Sequence, residues 1–291
     1  MPTNNIHPTA IVEPGAVIGN DVVIEPYAVV KKGVTLHDGV VIKSHAYIDG
    51  ETTIGEGTVI FPSASIGTKP QHLKFSGEGT RVVIGKRCEI REFVTINTSS
   101  EEGSEVRIGD DCFIMAYGHI AHNCVLGNKV IMSNGVTFGG HVIVEDNVLF
   151  GGLTAVHQFV RIGAYAMIGG MSRVTYDIPP YTIGAGIPYK FGGLNLIGLK
   201  RHGFGLEKRR LLSKAFRLMY RSGLRLEEAL QKIEQQVEMI PEIQHWICFC
   251  KGSKRGLMGI QGVVAGGQSS ATSLEDYTPN YDAALKEHQF V

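Results

Sequence analysis

Four histidines lie within a short stretch of the chain: His119, His122, His141 and His157. Histidine is the side chain best suited to take and return a proton near neutral pH. No serine stands next to any of these histidines, and Cys124 falls on a position predicted to point inward. The residue types therefore favour a general base that activates a hydroxyl group of a bound substrate. The backbone N–H of Gly140, beside His141, could stabilise an oxyanion.

A period of six residues predicts the element that positions these histidines. An apolar residue stands at every sixth position from Ile6 to Val174, except at His72, Glu78 and Glu102. Neither a helix, with period 3.6, nor a strand, with period 2, keeps one face apolar at a period of six. The residue two before each apolar position is mostly small or β-branched, as a narrow interior requires. Such hexapeptide repeats are typical of a parallel β-helix.

The repeat also predicts which distant residues become neighbours. Three hexads make one triangular coil of eighteen residues, so residues eighteen apart should stack at about the strand spacing of 4.8 Å. By this rule His122, residues 140–141 and residues 157–158 share one corner on three successive coils. A corner that collects histidines beside glycine and glutamine is a candidate catalytic site.

A second column has few side chains. Asn134 is followed at the same interval by Gly152 and Gly170. Absent side chains on consecutive coils predict a groove that an alkyl chain could occupy. Glycine is also common at solenoid corners, so the column alone does not establish such a groove.

Two excursions interrupt the hexads, at residues 68–83 and 97–106. The repeat returns in phase after each of them, which predicts external loops on a continuous solenoid. The second loop is polar and acidic. Loops on a rigid scaffold often carry substrate contacts, but a tolerated insertion would look the same.

Composition bounds the rest of the chain. Its 291 residues carry a formal net charge of +0, which gives no global field for nucleic acid or a membrane surface. We expect no transmembrane segment and no secretory signal, and the five cysteines lack metal or disulfide spacing. A cytoplasmic location is the simplest expectation. The predicted domains are a β-helix over 1–186, a helical domain over 187–256 and a disordered tail over 257–291.

Helical periodicity predicts two helices, over 206–222 and 226–239. Basic residues accumulate in and before this region, with Glu207 as their only carboxylate: Lys190, Lys200, Arg201, Lys208, Arg209, Arg210, Lys214, Arg217, Arg221 and Arg225. Such a face could bind an acidic partner or phosphates. A solvated cationic helix face is the alternative interpretation.

Several motifs resemble one family. They are IHPTAIV at 6–12, PQHLK at 70–74, IRE at 90–92, HIAHN at 119–123, GGH at 139–141, AVHQF at 155–159, DIPPY at 177–181 and GLKR at 198–201. Together they resemble the acyl-carrier-protein–UDP-N-acetylglucosamine O-acyltransferases, which catalyse the first committed step of lipid A synthesis. The resemblance implies a left-handed parallel β-helix with a helical C-terminal domain. It also implies a homotrimer with sites between subunits, and acyl-carrier protein bound by the basic helices.

The resemblance also implies roles for individual residues. His122 matches the general base that deprotonates the glucosamine 3-hydroxyl, and Gly140 the oxyanion donor. Gly170 matches the position that sets acyl length. Further substrate contacts are implied at Gln71, Lys74, His119, His141, His157, Gln158, Asn195 and Arg201. No metal and no cofactor are expected, since the phosphopantetheine thioester of the carrier is a co-substrate. The length and 3-hydroxylation of the acyl chain stay open.

Three residues depart from the family pattern. Asn123 follows the histidine where aspartate is frequent, His72 replaces an aspartate of the loop, and His202 replaces a second arginine. Three other functions stay open. The first is N-acyl transfer to an amino-sugar nucleotide. The second is a zinc enzyme resembling the β-helical carbonic anhydrases, whose histidine spacing this chain does not match. The third is a non-catalytic solenoid.

Overall fold

The structure is a computed structural model and describes residues 4–73, 75, 77 and 79–260. The predicted tail therefore lies outside the described residues, except for 257–260. The strands of the first coils are β1 (Asn5–Ile6), β2 (Ile11–Val12), β3 (Val17–Ile18), β4 (Val23–Ile24), β5 (Val29–Val30), β6 (Thr35–Leu36), β7 (Val41–Ile42), β8 (Tyr47–Ile48), β9 (Glu51–Ile54), β10 (Val59–Ile60) and β11 (Ser65–Thr68). The next are β12 (Arg81–Ile84), β13 (Glu89–Ile90), β14 (Thr95–Asn97), β15 (Glu105–Ile108), β16 (Phe113–Ile114), β17 (His119–Ile120), β18 (Val125–Leu126) and β19 (Ile131–Met132). The last are β20 (Thr137–Phe138), β21 (Ile143–Val144), β22 (Leu149–Phe150), β23 (Ala155–Val156), β24 (Arg161–Ile162), β25 (Met167–Ile168), β26 (Arg173–Val174), β27 (Thr182–Ala185) and β28 (Lys190–Leu194).

These strands form the three sides of a parallel β-helix. One sheet runs from β1 through β4 and every third strand to β25, a second from β2 to β26, and a third from β3 to β24. All pairings between coils are parallel, and β28 closes the first sheet by an antiparallel pairing with β27. Because consecutive strands belong to different sheets, each coil turns three corners. The corners carry the side chains that do not follow the apolar six-residue pattern.

The pairing confirms the eighteen-residue stacking rule wherever the repeat is unbroken. His119 pairs with Thr137, and Thr137 with Ala155. Across the first loop Val59 pairs with Glu89, and across the second Glu89 pairs with Phe113. The offsets are thirty and twenty-four residues, so the two loops insert two hexads and one hexad. This is why the repeat returns in phase after each of them.

The repeat positions form the predicted core. From Ile24 to Val174 the sixth-position residues are buried, apart from those in the loops, while Ile6 on the open first coil is 41% exposed. Cys88, Cys112 and Cys124 are buried and free, as expected from their inward position. Thr58 at the same type of position satisfies its hydroxyl with the Gly85 carbonyl, at 2.8 Å.

At corners such as those of Gly19 and Gly55, glycine is required by close stacking of the coils, not by a left-handed backbone. Gly19 and Gly55 follow a core residue, yet neither has a positive φ. A Cβ on Gly55 would lie 2.5 Å from the Gly85 carbonyl carbon, so close stacking of the coils requires the glycine. The left-handed conformation falls two residues later, at non-glycine residues such as Asn123 (φ 59°) and His141 (φ 60°).

The described part of the C-terminal region, up to residue 260, contains four helices where the sequence predicted two. They are α1 (Leu196–Arg201), α2 (Leu206–Tyr220), α3 (Leu226–Gln236) and α4 (Pro241–Lys251). Pro241, which follows the second predicted helix, begins α4 at a position where its missing N–H costs nothing. Within the described residues, no helix is long and apolar enough to cross a membrane.

The helices attach to the solenoid through polar contacts as well as a shared core. His245 of α4 approaches the Glu145 carboxylate at 2.8 Å, and its other ring nitrogen lies 2.8 Å from the Tyr181 hydroxyl. After α4 the chain returns along the solenoid, where Met258 N–H donates to the Asp177 carbonyl at 2.9 Å. We call residues 252–258 the C-terminal strap.

Candidate active site

The predicted histidine corner exists and joins the second and third sheets. His141 N–H donates to the His122 carbonyl, and Phe159 N–H to the Gly140 carbonyl, each at 3.0 Å. The rings of His122 and His141 meet edge to face with centroids 5.2 Å apart, and His141 stacks on Phe159 at 4.5 Å. Three coils thus present a continuous column of rings on one edge of the prism.

Gly140 provides the space for the His122 ring. A Cβ there would lie 2.4 Å from His122 Cε1 and 2.6 Å from Nε2. The Gly140 N–H makes no hydrogen bond to any residue that the structure describes. At some corners a neighbouring coil supplies an acceptor for the equivalent N–H, as Asn128 Oδ1 does for Asp110 at 2.8 Å. This corner therefore leaves a donor available beside the imidazole.

The Asn123 amide determines which nitrogen of His122 carries the proton. Ser100 N–H donates to Asn123 Oδ1 at 3.2 Å, which identifies that atom as the acceptor. His122 Nδ1 lies 2.8 Å from the same oxygen and must therefore be the donor. In neutral His122 the Nε2 atom is then free to accept a proton.

Burial shifts the pKa values of three groups near His122. Desolvation, followed by repulsion from His122, lowers the pKa of His141 below its usual value. Burial also lowers the pKa of His119, which lies on β17 rather than at the corner, 2.7 Å from the Thr95 hydroxyl. Burial raises the pKa of the Cys124 thiol to about 12, so it stays protonated at neutral pH. The corner thus has no thiolate nucleophile, and burial favours the uncharged form of His141.

His157 is held by a residue that sequence reasoning missed. Arg255 of the C-terminal strap approaches His157 Nδ1 at 2.8 Å. A guanidinium only donates, so Nδ1 is the unprotonated nitrogen and Nε2–H is available to a ligand. The nearby Gln158 carbonyl, 3.1 Å from the same Nδ1, then receives no hydrogen bond from it. Gln158 itself has an exposed side chain at this corner.

The first loop reaches the corner through His72. Its ring lies 5.0 Å from the ring of His122, so the residue that departs from the family pattern lies beside the proposed base. Gln71 is exposed next to it, and Lys74 lies outside the described residues. The second loop contacts Asn123 through Ser100 and Ser104, which sequence reasoning also did not single out.

The remaining predicted site residues lie at the other two corners of the prism. Gly170 stacks on Gly152 at the corner between the first and second sheets, where its Cβ would lie 3.1 Å from the Gly152 carbonyl oxygen. Asn195 caps α1 and also donates to the Tyr165 carbonyl at 3.0 Å, on the third corner. Arg201, at the end of α1, is exposed. One chain therefore does not bring Gly170, Asn195 and Arg201 to the histidine corner.

No group of three or more histidine, cysteine or acidic side chains that could hold a metal ion occurs among residues 4–73, 75, 77 and 79–260.

Comparison with known families extends over both parts of the chain. The profile described as UDP N-acetylglucosamine O-acyltransferase, domain 2, matches residues 177–258. The bacterial transferase hexapeptide profile matches residues 15–50 and 105–140. The first match covers the end of the solenoid, the helices and the strap, and the second covers regular coils.

Curated relatives and solved structures agree with these matches. The acyl-(acyl-carrier-protein)–UDP-N-acetylglucosamine O-acyltransferase of Chlamydia abortus is 57% identical over 254 residues, which cover 87% of this chain and 91% of the relative. The Synechocystis enzyme of the same name is 44% identical, covering 66% and 70%. The crystal structure of the UDP-N-acetylglucosamine acyltransferase from Bacteroides fragilis is 38% identical and superposes with a TM-score of 0.85, covering 87% of this chain and 99% of that one. These matches confirm a left-handed parallel β-helix with a helical C-terminal region, and the chain belongs to the acyl-(acyl-carrier-protein)–UDP-N-acetylglucosamine O-acyltransferase family of acyltransferases.

Proposed function

We propose that the protein transfers a fatty acyl chain from acyl-carrier protein to the glucosamine 3-hydroxyl of UDP-N-acetylglucosamine, in lipid A biosynthesis. Family membership supports the donor and the acceptor, since its relatives are named for both. The observation that carries the chemistry is His122, whose Nδ1 is engaged by Asn123 while Nε2 faces the space over Gly140. The O-acyltransferase name of these relatives favours this function over N-acyl transfer, a zinc-dependent activity like that of the β-helical carbonic anhydrases, and a structural role.

The proposed reaction uses His122 twice. Nε2 takes the proton of the 3-hydroxyl as its oxygen attacks the thioester carbonyl carbon. The oxyanion that forms accepts a hydrogen bond from Gly140 N–H. The C–S bond then breaks, and the departing phosphopantetheine sulfur recovers the proton from His122. His141 and His157 can contact the nucleotide sugar, since burial lowers the pKa of the first and Arg255 occupies Nδ1 of the second, which leaves its Nε2–H available to donate.

A homotrimer explains why the proposed contacts lie on three corners. Gly170 and Asn195 belong to corners that a single chain holds apart from His122. A neighbouring subunit can place its own corner against the histidine column, as trimeric solenoids with shared sites require. Large apolar side chains are exposed along the corner of Gly170: Phe93 at 50%, Tyr117 at 64%, Leu153 at 66% and Met171 at 69%. We infer that subunit contacts and the acyl chain cover this apolar stripe.

The exposed cations of the helices support the proposal for acyl-carrier protein. Arg210 and Arg217 are seven residues apart, which places them on the same face of α2, and both are exposed. Lys208 and Lys214 are engaged within the chain, by Glu242 and by the Gln236 carbonyl. The part of the basic surface without such contacts is therefore smaller than the sequence suggested. Arg217 belongs to it, and Arg210 makes only a long contact of 3.9 Å to the exposed Glu207.

Mass spectrometry of the reaction product tests the proposed function. Purified protein, UDP-N-acetylglucosamine and a panel of acyl-carrier-protein thioesters should yield a monoacylated nucleotide sugar that is labile to base, as an ester is. His122→Ala should lower the rate by about 10²–10⁴-fold, the usual loss for a general base. His37→Ala, an exposed histidine on an early coil, is the matched control and should retain full turnover.

Three results would contradict the proposal. No product from any donor would remove the assigned reaction, and a base-stable product with a 3-amino sugar nucleotide would indicate N-acyl transfer instead. Full turnover by His122→Ala would remove the assigned base.

A further inference from the structure

The amide of Asn123 is the only link that the structure shows between His122 Nδ1 and the rest of the described chain. An amide has two different ends, an acceptor oxygen and a donor nitrogen, and the ends exchange places if the group rotates by half a turn. With the oxygen toward His122, the ring carries its proton on Nδ1 and leaves Nε2 free. With the nitrogen toward His122, the ring would carry its proton on Nε2 and could not act as a base there.

Ser100 fixes the oxygen end. Its backbone N–H donates to Asn123 Oδ1 at 3.2 Å, and its hydroxyl donates to the same atom at 2.7 Å. Both groups lie in the second loop, on the coil beneath Asn123, and both are half-buried. A rotated amide would direct its NH₂ group at the backbone N–H, which cannot accept a hydrogen bond.

Ser104 fixes the nitrogen end. Asn123 Nδ2 donates to the Ser104 hydroxyl oxygen at 3.2 Å. The Ser104 hydroxyl hydrogen is directed at the Glu101 carbonyl, with which it makes a short contact. The buried Ser99 hydroxyl lies 2.6 Å from the same oxygen and can donate to it. A rotated amide would therefore place its oxygen against an oxygen that has no hydrogen left to donate.

We propose that Ser100 and Ser104 are positioning residues that lock the Asn123 amide and thereby select the His122 tautomer with a free Nε2. The second loop, whose sequence was compatible with a substrate contact or with a tolerated insertion, then acts on the base through Asn123. The consequence for catalysis rests on the proposed function, whereas the tautomer itself does not.

A double-variant cycle separates this role from a general structural one. Ser100→Ala removes the hydroxyl donor, and we expect kcat to fall about 10-fold, the effect of one lost hydrogen bond, with little change in KM. In an Asn123→Asp background the same change should cost less than about 2-fold, because a carboxylate has two equivalent oxygens and no wrong orientation. Ser100→Thr keeps a hydroxyl and should restore most of the activity. An equal loss in both backgrounds would overturn the proposal.

Imidazole ¹⁵N NMR of His122 tests the tautomer without any substrate. The wild-type protein should show the proton on Nδ1, and the Ser100→Ala, Ser104→Ala double variant should show a substantial population with the proton on Nε2. An unchanged Nδ1–H tautomer in a folded double variant would overturn the proposal. If the wild type yields no acylated product but the tautomer shifts as expected, the proposed function fails while the lock stands.

Discussion

The regular coils and the segments outside the repeat contribute differently to the same site. The coils supply the proposed reacting and contacting groups, His122, Gly140 and His141, at one corner and in fixed register. The second loop and the C-terminal strap supply the groups that orient them, Ser100 on Asn123 and Arg255 on His157. A solenoid coil places a side chain every eighteen residues, and here Asn123 of the same coil holds His122. The hydrogen bonds that orient Asn123 and His157 in turn come from segments outside the repeat.

A substitution in the core of a distant coil should change stability and leave catalysis intact. Ile48 is fully buried, three coils before the coil of His122. We expect Ile48→Ala to lower the free energy of unfolding by about 2–5 kcal/mol, through lost burial and a cavity. Denaturant unfolding measures the loss, and kcat/KM at low temperature should match that of the wild type. Ile48→Val should cost about 0.5–1.5 kcal/mol. A selective fall in kcat would mean that distant coils transmit strain to the site.

The sequence predicted the coils far better than the orienting segments, and the reason is physical. A strict period fixes burial, stacking and corner, so His122, Gly140 and residues 157–158 could be placed together from spacing alone. To predict the contact of Ser100 with Asn123, the length of the loop would have to be counted, since the inserted hexad shifts the stacking offset at Asn123 to about twenty-four residues. No spacing relates Arg255 to His157, because their contact depends on how the helices return the chain to the solenoid. Short α1 carries too little periodicity for a helix to be predicted.

Gly170 tests whether a regular coil can determine specificity through an absent side chain. Gly170→Met should fill the column over Gly152 and shift the preferred donor to shorter acyl chains, since each excluded methylene is worth about 0.8 kcal/mol. Competition between donors of different length measures the shift. Gly170→Ala adds only a Cβ, 3.1 Å from the Gly152 carbonyl oxygen, and should give a smaller change in the same direction. An unchanged preference in both variants would place the acyl chain elsewhere.

Arg255 tests the orienting role of the strap. Arg255→Met removes the donor to His157 Nδ1 and allows the ring to adopt the other tautomer. We expect the KM for the nucleotide sugar to rise about 5- to 10-fold, the effect of one charge-assisted hydrogen bond, with kcat nearly unchanged. Lys254→Met, the exposed neighbouring cation, is the matched control. A loss of equal size in the control would indicate a general effect of charge rather than the orientation of His157.

The exposed cations of α2 should give the smallest effect, because exposed charges act mainly on encounter with a partner. Arg210→Ala with Arg217→Ala should raise the KM for acyl-carrier protein about 3- to 10-fold and leave the KM for the nucleotide sugar unchanged. The salt dependence of the carrier KM should weaken in the same variant, since fewer charges remain to be screened. Lys32→Ala, an exposed cation on an early coil, should leave both quantities unchanged. A carrier KM that does not respond would mean that the docking surface lies away from α2. The role of the helices would then be to return the chain to the histidine corner, where the strap places Arg255 against His157.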